Sequence, residues 1–401
     1  MDISKIRQDF PCFNRTTFEK PIVYFDNTAV TLTPKPVIDS IVSYYSSPGN
    51  LRSAHEFSIN TMIKCDDARK KMKDFINARS TNEIIWTKSA TEGINLISRT
   101  LDFQPGDIVL TTDKEHISNI IPWHNIKHKG IVYKIVRSRE DNTFYLDQFE
   151  KILNDNVKLV SMSLTSIIDG YTIPAKEIIR LSHDHDALVL LDGVLAVPHQ
   201  ITDVQDLDID FLVFSCSNMC GPNGIGILYG KEKLLVDLDP FLGGGGANTN
   251  ITYTDSDYQD PPAKFEAGNQ NCANIIGAGS AVDYLNSIGL ENIKEHEYTL
   301  NKLLTEELND VENLDIVGPS DPKLRGGMFN FNINNINPHD IAISLEELGN
   351  ILVRSGILCS QPWINEHIKA GVVSILFYLY NSTEEVDFLA ESLKKIIKDF
   401  S

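Results

Sequence analysis

Between Pro36 and Gly230, short apolar runs alternate with helix-periodic segments, and no other feature of the chain limits its possible folds as tightly. The runs include EIIWT, DIVLTT, VYKIV, KLVSMS, ALVLLD, FLVFS and GIGILYG, and around them stand DDARKKMKDFI, TEGINLISRTL and AKEIIRLSH. Runs of this kind read as strands buried on both faces, with the helices as crossovers. An α/β fold follows, built on a mostly parallel sheet covered by helices. In such sheets a ligand lies beyond the carboxyl ends of the strands. After Gly230 the glycine-rich, polar stretch from Phe241 to Gly268 reads as a long functional or interface loop. A helical pair comes next, and then a mixture of strands (GGMFNFNI, GNILVRS, VVSILFYL) and helices (PHDIAISLEELG, TEEVDFLAESLKKIIKDF), as a smaller α/β domain would show. The expected organisation is an arm over residues 1–20, a large domain over 21–290 and a small C-terminal domain over 291–401.

The charge balance excludes some partners. Among 401 residues there are 36 basic against 55 acidic, a net charge of −19, so nucleic acid and anionic membrane are poor partners. The opening MDISKIRQDF holds no apolar run of signal-peptide type, no stretch reaches eighteen apolar residues, and a cytoplasmic location is expected. Six cysteines spread over the chain are too sparse for a disulfide framework. Cys216 and Cys220 lack the further Cys or His that a metal site needs, so no metal is expected, and His183-Asp184-His185-Asp186 reads as a polar link between helix and strand.

The strand ends hold the candidate chemistry. EIIWT is followed by Lys88-Ser89-Ala90-Thr91-Glu92-Gly93, a small-residue turn opening a helix, whose amides suit a phosphate but which also occurs without any ligand. DIVLTT leads to His116, which can stack, titrate or cap. ALVLL ends in Asp192, an acid that is either buried with a cationic partner or caps a loop. FLVF ends in the polar knuckle Ser215-Cys216-Ser217-Asn218, which offers no amine, imidazole or carboxylate. Arg354 and Cys359 place a cation and a thiol on a loop after a strand.

Taken together, YFDNTA (24–29), TKSATEGIN (87–95), KEHISNIIPWH (114–124), LLDGVLAVPH (190–199), DFLVFS (210–215), GPNGIGILYGK (221–231), FLGGGG (241–246), FEAG (265–268), IIGAGSAVDYL (275–285) and VRSGILCSQP (353–362) resemble the class V aminotransferase family. The branch resembled is that of the group II cysteine desulfurases and selenocysteine lyases. The match is collinear from about residue 20 to residue 395. It implies fold type I of the pyridoxal-phosphate enzymes, a cofactor held by a lysine as a Schiff base, and a homodimer with its sites at the interface. Carried over by position, the resemblance makes Asp192 the partner of the pyridinium nitrogen, His116 the ring-stacking histidine and Cys359 the persulfide cysteine. Thr91 and Ser215 fall at phosphate contacts, and Arg354 is the loop arginine.

The departures gather in the same pocket. Asn218 stands at the lysine position, and Ser217 at that of the histidine before it. Leu195 replaces the glutamine of a DGAQ motif, Ile167 an asparagine of SNVLG, Val372 the carboxylate-gripping arginine of RAS, and Asn269 the threonine of AGTPN. Ile357-Leu358 stands where the family has two histidines before the cysteine. An amide forms no imine, so Asn218 can neither anchor the cofactor nor shuttle protons. Lys88 reads as an ordinary family residue rather than as a relocated anchor. Two readings follow: a non-catalytic homologue that binds or regulates a sulfur-transfer protein or an active desulfurase, and an enzyme using non-covalently held cofactor or a repurposed pocket. The ordinary, fully active desulfurase is disfavoured by the changes in the pocket.

Overall fold

The computed structural model describes residues 1–17 and 20–400. The apolar runs form one seven-stranded sheet: β1 (Ile84–Thr87), β2 (Ile108–Thr112), β3 (Val132–Val136), β4 (Val157–Ser163), β5 (Leu188–Asp192), β6 (Phe211–Ser215) and β7 (Gly226–Gly230). Their spatial order is β1-β7-β6-β5-β4-β2-β3, and β7 alone runs against its neighbours. Central strands such as β6, Phe-Leu-Val-Phe-Ser, are buried on both faces, which is why they read as unbroken apolar runs rather than as alternation.

Helix α1 (Lys35–Ser46), α2 (Glu56–Phe75) and α4 (Cys272–Ile288) pack together on one side, while α3 (Ala90–Thr100) lies against β6 and β7 on the other. Buried Ile94, Leu96 and Ile97 fasten α3, each contributing about 1.5–3 kcal/mol. Two glycines set how closely it docks. A Cβ on Gly93 would come within 2.7 Å of Val213, and one on Gly226 within 2.7 Å of the Ser89 backbone. The first turn of α3 therefore drops onto the carboxyl end of the sheet.

A smaller antiparallel sheet follows: β8 (Leu314–Val317), β9 (Met328–Ile333), β10 (Arg354–Gly356) and β11 (Val372–Leu376), in the order β8-β9-β11-β10. Helices α5 (Leu290–Leu308), α6 (Pro338–Gly349) and α7 (Thr383–Phe400) cover it, sharing a second core with Phe329, Phe331, Val373 and Ile375. GNILVRS, read as one strand, is divided. Ile351 and Leu352 pair in parallel with Val23 and Tyr24, whereas Arg354 pairs with Ser374 in the smaller sheet. The sequence reading that put Arg354 on a loop is thereby corrected: β11 draws it into a strand, and the loop begins at Ile357. No described helix is long and apolar enough to cross a membrane.

Candidate active site

The carboxyl ends of β1, β2, β4, β5 and β6 converge on a cavity of about 190 Å³. Of the residues singled out in the sequence, Thr91, His116, Asp192, Ser215, Asn218 and Arg354 all line it. Cys359 does not, but sits beside it, its Sγ 3.9 Å from the Arg354 guanidinium.

Each polar residue is fixed by a local contact. Ser215, at the end of β6, accepts a 2.9 Å hydrogen bond from the Ala90 amide and so joins the sheet to the first turn of α3. Thr91 shares a 2.8 Å hydrogen bond with Ser118. The Ser118 amide donates to Nδ1 of His116 at 3.1 Å. Burial, together with the charge of Arg354, lowers the pKa of His116 to about 4, so its imidazole is neutral at pH 7.

The knuckle after β6 is a single 3-10 turn, Cys216–Asn218. Thr31 clamps it from both sides, donating its amide (2.9 Å) and hydroxyl (3.1 Å) to the Ser217 carbonyl and accepting from the Cys220 amide at 2.8 Å. The buried Asn218 amide group donates to the Thr28 carbonyl at 3.2 Å and accepts from the Ser217 hydroxyl at 3.1 Å. The hydroxyls of Thr28 and Ser374 lie 3.2 Å apart, linking this wall to β11.

Asp192 is the least comfortable group. It is buried, and its Oδ1 accepts from the Val194 amide at 3.1 Å. Among the described residues it has no cationic side chain as partner, so of the two sequence alternatives the loop-capping contact is present and the ion pair is not. Burial, with a smaller contribution from the charge of Glu115, pushes its pKa up to about 7.

Glu115 follows the DIVLTT strand with His116, and nothing in the sequence gives it a role of its own. It is buried and accepts from the hydroxyls of Thr112 (2.6 Å) and Ser163 (2.7 Å), the Ser163 amide and the Asn119 side chain (2.8 Å), tying β2 to β4 beneath the site. A Thr-rich strand end followed by Glu and, later, Asn is its only trace in the sequence. Lys114, also passed over, is buried but committed to an ion pair with Asp169 and a hydrogen bond to the Asn142 carbonyl.

Ile167, Val194 and Leu195 give the pocket an apolar side, and Val372 and Leu358 pack behind it without lining the cavity. Ile167, Leu195, Val372 and Leu358, which lie far apart in sequence, belong to one buried cluster with Ile168, Met328 and Trp363. Leu358 and Cys359 both have positive φ, 49° and 53°, and the Cys359 carbonyl accepts from the Ile117 amide at 2.9 Å. Asn269 lines a separate cavity near Arg52, outside this pocket.

A larger cavity, about 550 Å³, lies at the far end of the sheet. There His183 and Lys231 are already paired with Asp208 and Asp210, and Asp210 also accepts from the Val189 amide. These ion pairs join the ends of three strands, a structural use, whereas the polar groups at the carboxyl ends of the strands converge on the smaller pocket.

Known proteins resemble the chain over nearly its whole length. The family model for class-V aminotransferases matches residues 23–389. A probable cysteine desulfurase of Synechocystis sp. is 38% identical over 404 residues, spanning 99% of this chain and 96% of its own length. A cysteine desulfurase of Haloferax volcanii is 35% identical, spanning 98% of this chain and 96% of its own length. Among solved structures, the apo cysteine desulfurase of Thermococcus onnurineus NA1 superposes with a TM-score of 0.94 at 32% identity, covering 99% of this chain and 98% of that one. The cysteine desulfurase CsdA of Escherichia coli, in its S-sulfonic acid form, gives 0.92 at 27% identity, with 99% of each chain covered. The chain belongs to the class-V aminotransferase family, on its cysteine desulfurase-like side, and has the type I fold of the pyridoxal-phosphate enzymes.

Proposed function

We propose that this chain is a desulfurase-like protein without covalent pyridoxal-phosphate chemistry, serving as a non-catalytic or regulatory member of a sulfur-transfer system. The observation that carries the proposal is the buried amide of Asn218, held against the Thr28 carbonyl at the position to which the family resemblance assigns the lysine. Among the described residues no lysine lines the pocket. Lys88 is exposed, and Lys114 is paired with Asp169.

The residues present match the cofactor only in part. Ser215, Thr91 and the start of α3 suit a phosphate, and Asp192 suits a ring nitrogen that carries a proton. The covalent attachment has no amine to form it, and Ile167 and Leu195 in the lining, with Val372 packed behind them, are hydrocarbon at positions where the resemblance expects polar partners for a cofactor hydroxyl and a substrate carboxylate. We therefore derive no reaction step through the cofactor.

A second reading, a repurposed enzyme, is favoured by one observation: neutral His116, the uncompensated acid Asp192 and the Arg354–Cys359 contact remain together at the pocket. A homodimer is also proposed. Exposed Val42, Tyr45, Phe57, Met62 and Ile63 on α1 and α2, with Ile251 and Tyr253 on the long loop, give apolar surface of the kind that subunits cover.

Native mass spectrometry of freshly purified protein, paired with a sulfide-release assay on cysteine, tests the proposal. The expected result is a dimer at apoprotein mass with no sulfide above the cofactor-only background. Stoichiometric cofactor together with turnover would overturn it.

A further inference from the structure

Helices α2 and α4 cross at close range. A Cβ on Gly279 of α4 would come within 2.8 Å of the Ala68 Cβ and 2.9 Å of its Cα, so glycine facing alanine lets the two backbones approach. One way along this seam, Lys71 and Asp283 form an ion pair at 2.7 Å. The other way it ends on two thiols, Cys65 of α2 and Cys272 at the first position of α4, whose side chains hydrogen-bond to each other. Folding brings together two cysteines that stand far apart in the sequence.

The pair opens onto a cavity. Both thiols are buried, but Cys272 lines a space of about 450 Å³ together with Tyr44, Asn50, Arg52, Glu266 and Gln270, whereas Cys65 stands behind it. The charged groups there are already engaged. Arg52 donates to the carbonyls of Gly245 (2.5 Å) and Gly268 (2.8 Å), and Glu266 accepts from the Arg69 guanidinium and the Trp86 amide, each at 2.8 Å. A small molecule entering this cavity meets the Cys272 thiol as the group able to react.

The two thiols differ in readiness. The hydrogen bond from Cys65 lowers the pKa of Cys272 against the opposing effect of burial, and the Tyr44 hydroxyl adds to the lowering. The positive end of α4 favours a thiolate at the same place. The same contact, with burial, raises the pKa of Cys65 and keeps it protonated.

We propose that Cys65 and Cys272 form a reversible disulfide, Cys272 reacting first with a small peroxide and Cys65 completing the bond. The Cys272 thiolate attacks one peroxide oxygen, the O–O bond breaks, and a sulfenic acid forms while hydroxide leaves and takes a proton to become water. The Cys65 sulfur then attacks the Cys272 sulfur, the S–S bond forms, the S–O bond breaks, and the departing hydroxyl leaves with the Cys65 proton as a second water. Two electrons pass from the sulfurs to the peroxide, and a dithiol reductant returns them by exchange. The bridge fastens α2 to the start of α4, and in a reducing compartment its role is that of a sensor rather than a permanent staple.

The test is titration of the full chain with hydrogen peroxide in the presence of dimedone, followed by peptide mass mapping. The wild type should yield a linked Cys65–Cys272 peptide that dithiothreitol removes, and its melting temperature should rise by several degrees on oxidation. Cys65→Ser should lose both effects and carry a dimedone adduct on Cys272 instead. Cys272→Ser should leave Cys65 open to alkylation at peroxide doses that convert the wild type. No linked peptide from the wild type at doses that fully oxidise the more exposed Cys359 would overturn the proposal without recourse to any variant. So would equal Cys272 adduct in the wild type and Cys65→Ser, since Cys65 would then not be the partner.

Discussion

Asn218→Lys is expected to give the protein a pyridoxal-phosphate adduct that borohydride fixes to residue 218, detectable by peptide mass, where the wild type gives none. Sulfide release by that variant should nevertheless stay about 10²–10⁴-fold below that of an active desulfurase. The adduct is expected because the knuckle places residue 218 in the pocket wall between Ser215 and Thr28, and only the amine is lacking there. The rate deficit is expected because hydrogen bonds to charged groups contribute about 1.5–3 kcal/mol each, and Leu195 and Val372 offer none. Asn218→Lys combined with Leu195→Gln should recover part of the deficit. No adduct in Asn218→Lys would remove Asn218 from the anchoring position, and full turnover from the single substitution would refute the claim that the apolar wall matters.

Asp192→Asn should stabilise the protein, by up to about 4 kcal/mol above pH 7, which is unusual for a change at a functional pocket. The sign follows from proton binding. The folded carboxyl titrates near 7 and the unfolded one near 3.8, so between those values the folded state holds a proton that the unfolded state has lost. The contribution of this group to stability is greatest below the lower value and is lost as pH rises through the upper one. Asparagine has the same shape, can still accept from the Val194 amide, and carries no charge to bury. Denaturant midpoints of wild type and variant should coincide near pH 4 and separate progressively towards pH 8. If the variant is instead the less stable at pH 8, Asp192 has a cationic partner in the purified protein, and a protonated ring nitrogen becomes the foremost candidate.

Much of the fold was legible because its central strands are buried on both faces. Such strands cannot alternate polar with apolar residues, so FLVFS and ALVLL stood out, and so did the polar residues that end them. Asp192, Ser215 and Asn218 were readable for that reason, each being the first departure from an apolar run or close behind it. Glu115 was not, because its partners come from β2, β4 and a following turn, and only folding assembles them. The split of GNILVRS was hidden for a similar reason. Whether Arg354 continues a strand depends on Ser374, twenty residues later in the chain and adjacent only in the smaller sheet. Nor did the sequence reveal that Ile167, Leu195, Leu358 and Val372 pack as a single cluster. Read singly, they were separate losses of polar residues. Packed together, they are a continuous hydrophobic wall in which restoring one polar side chain disturbs the others.

The loop bearing Cys359 has one more consequence. Leu358 and Cys359 both adopt left-handed backbone conformations that cost side-chain-bearing residues about 1–2 kcal/mol each. What holds them there is the burial of Leu358 and the hydrogen bond from Ile117, the residue after His116. The thiol and the pocket wall are thus two ends of one tether. A molecule that shifts the His116 backbone from inside slackens the loop outside, and a protein that seizes the loop changes, by thermodynamic reciprocity, how tightly the pocket holds its contents. Under the proposed non-catalytic reading, the pocket would in this way act as a receiver, its message carried by how the thiol beside Arg354 is presented.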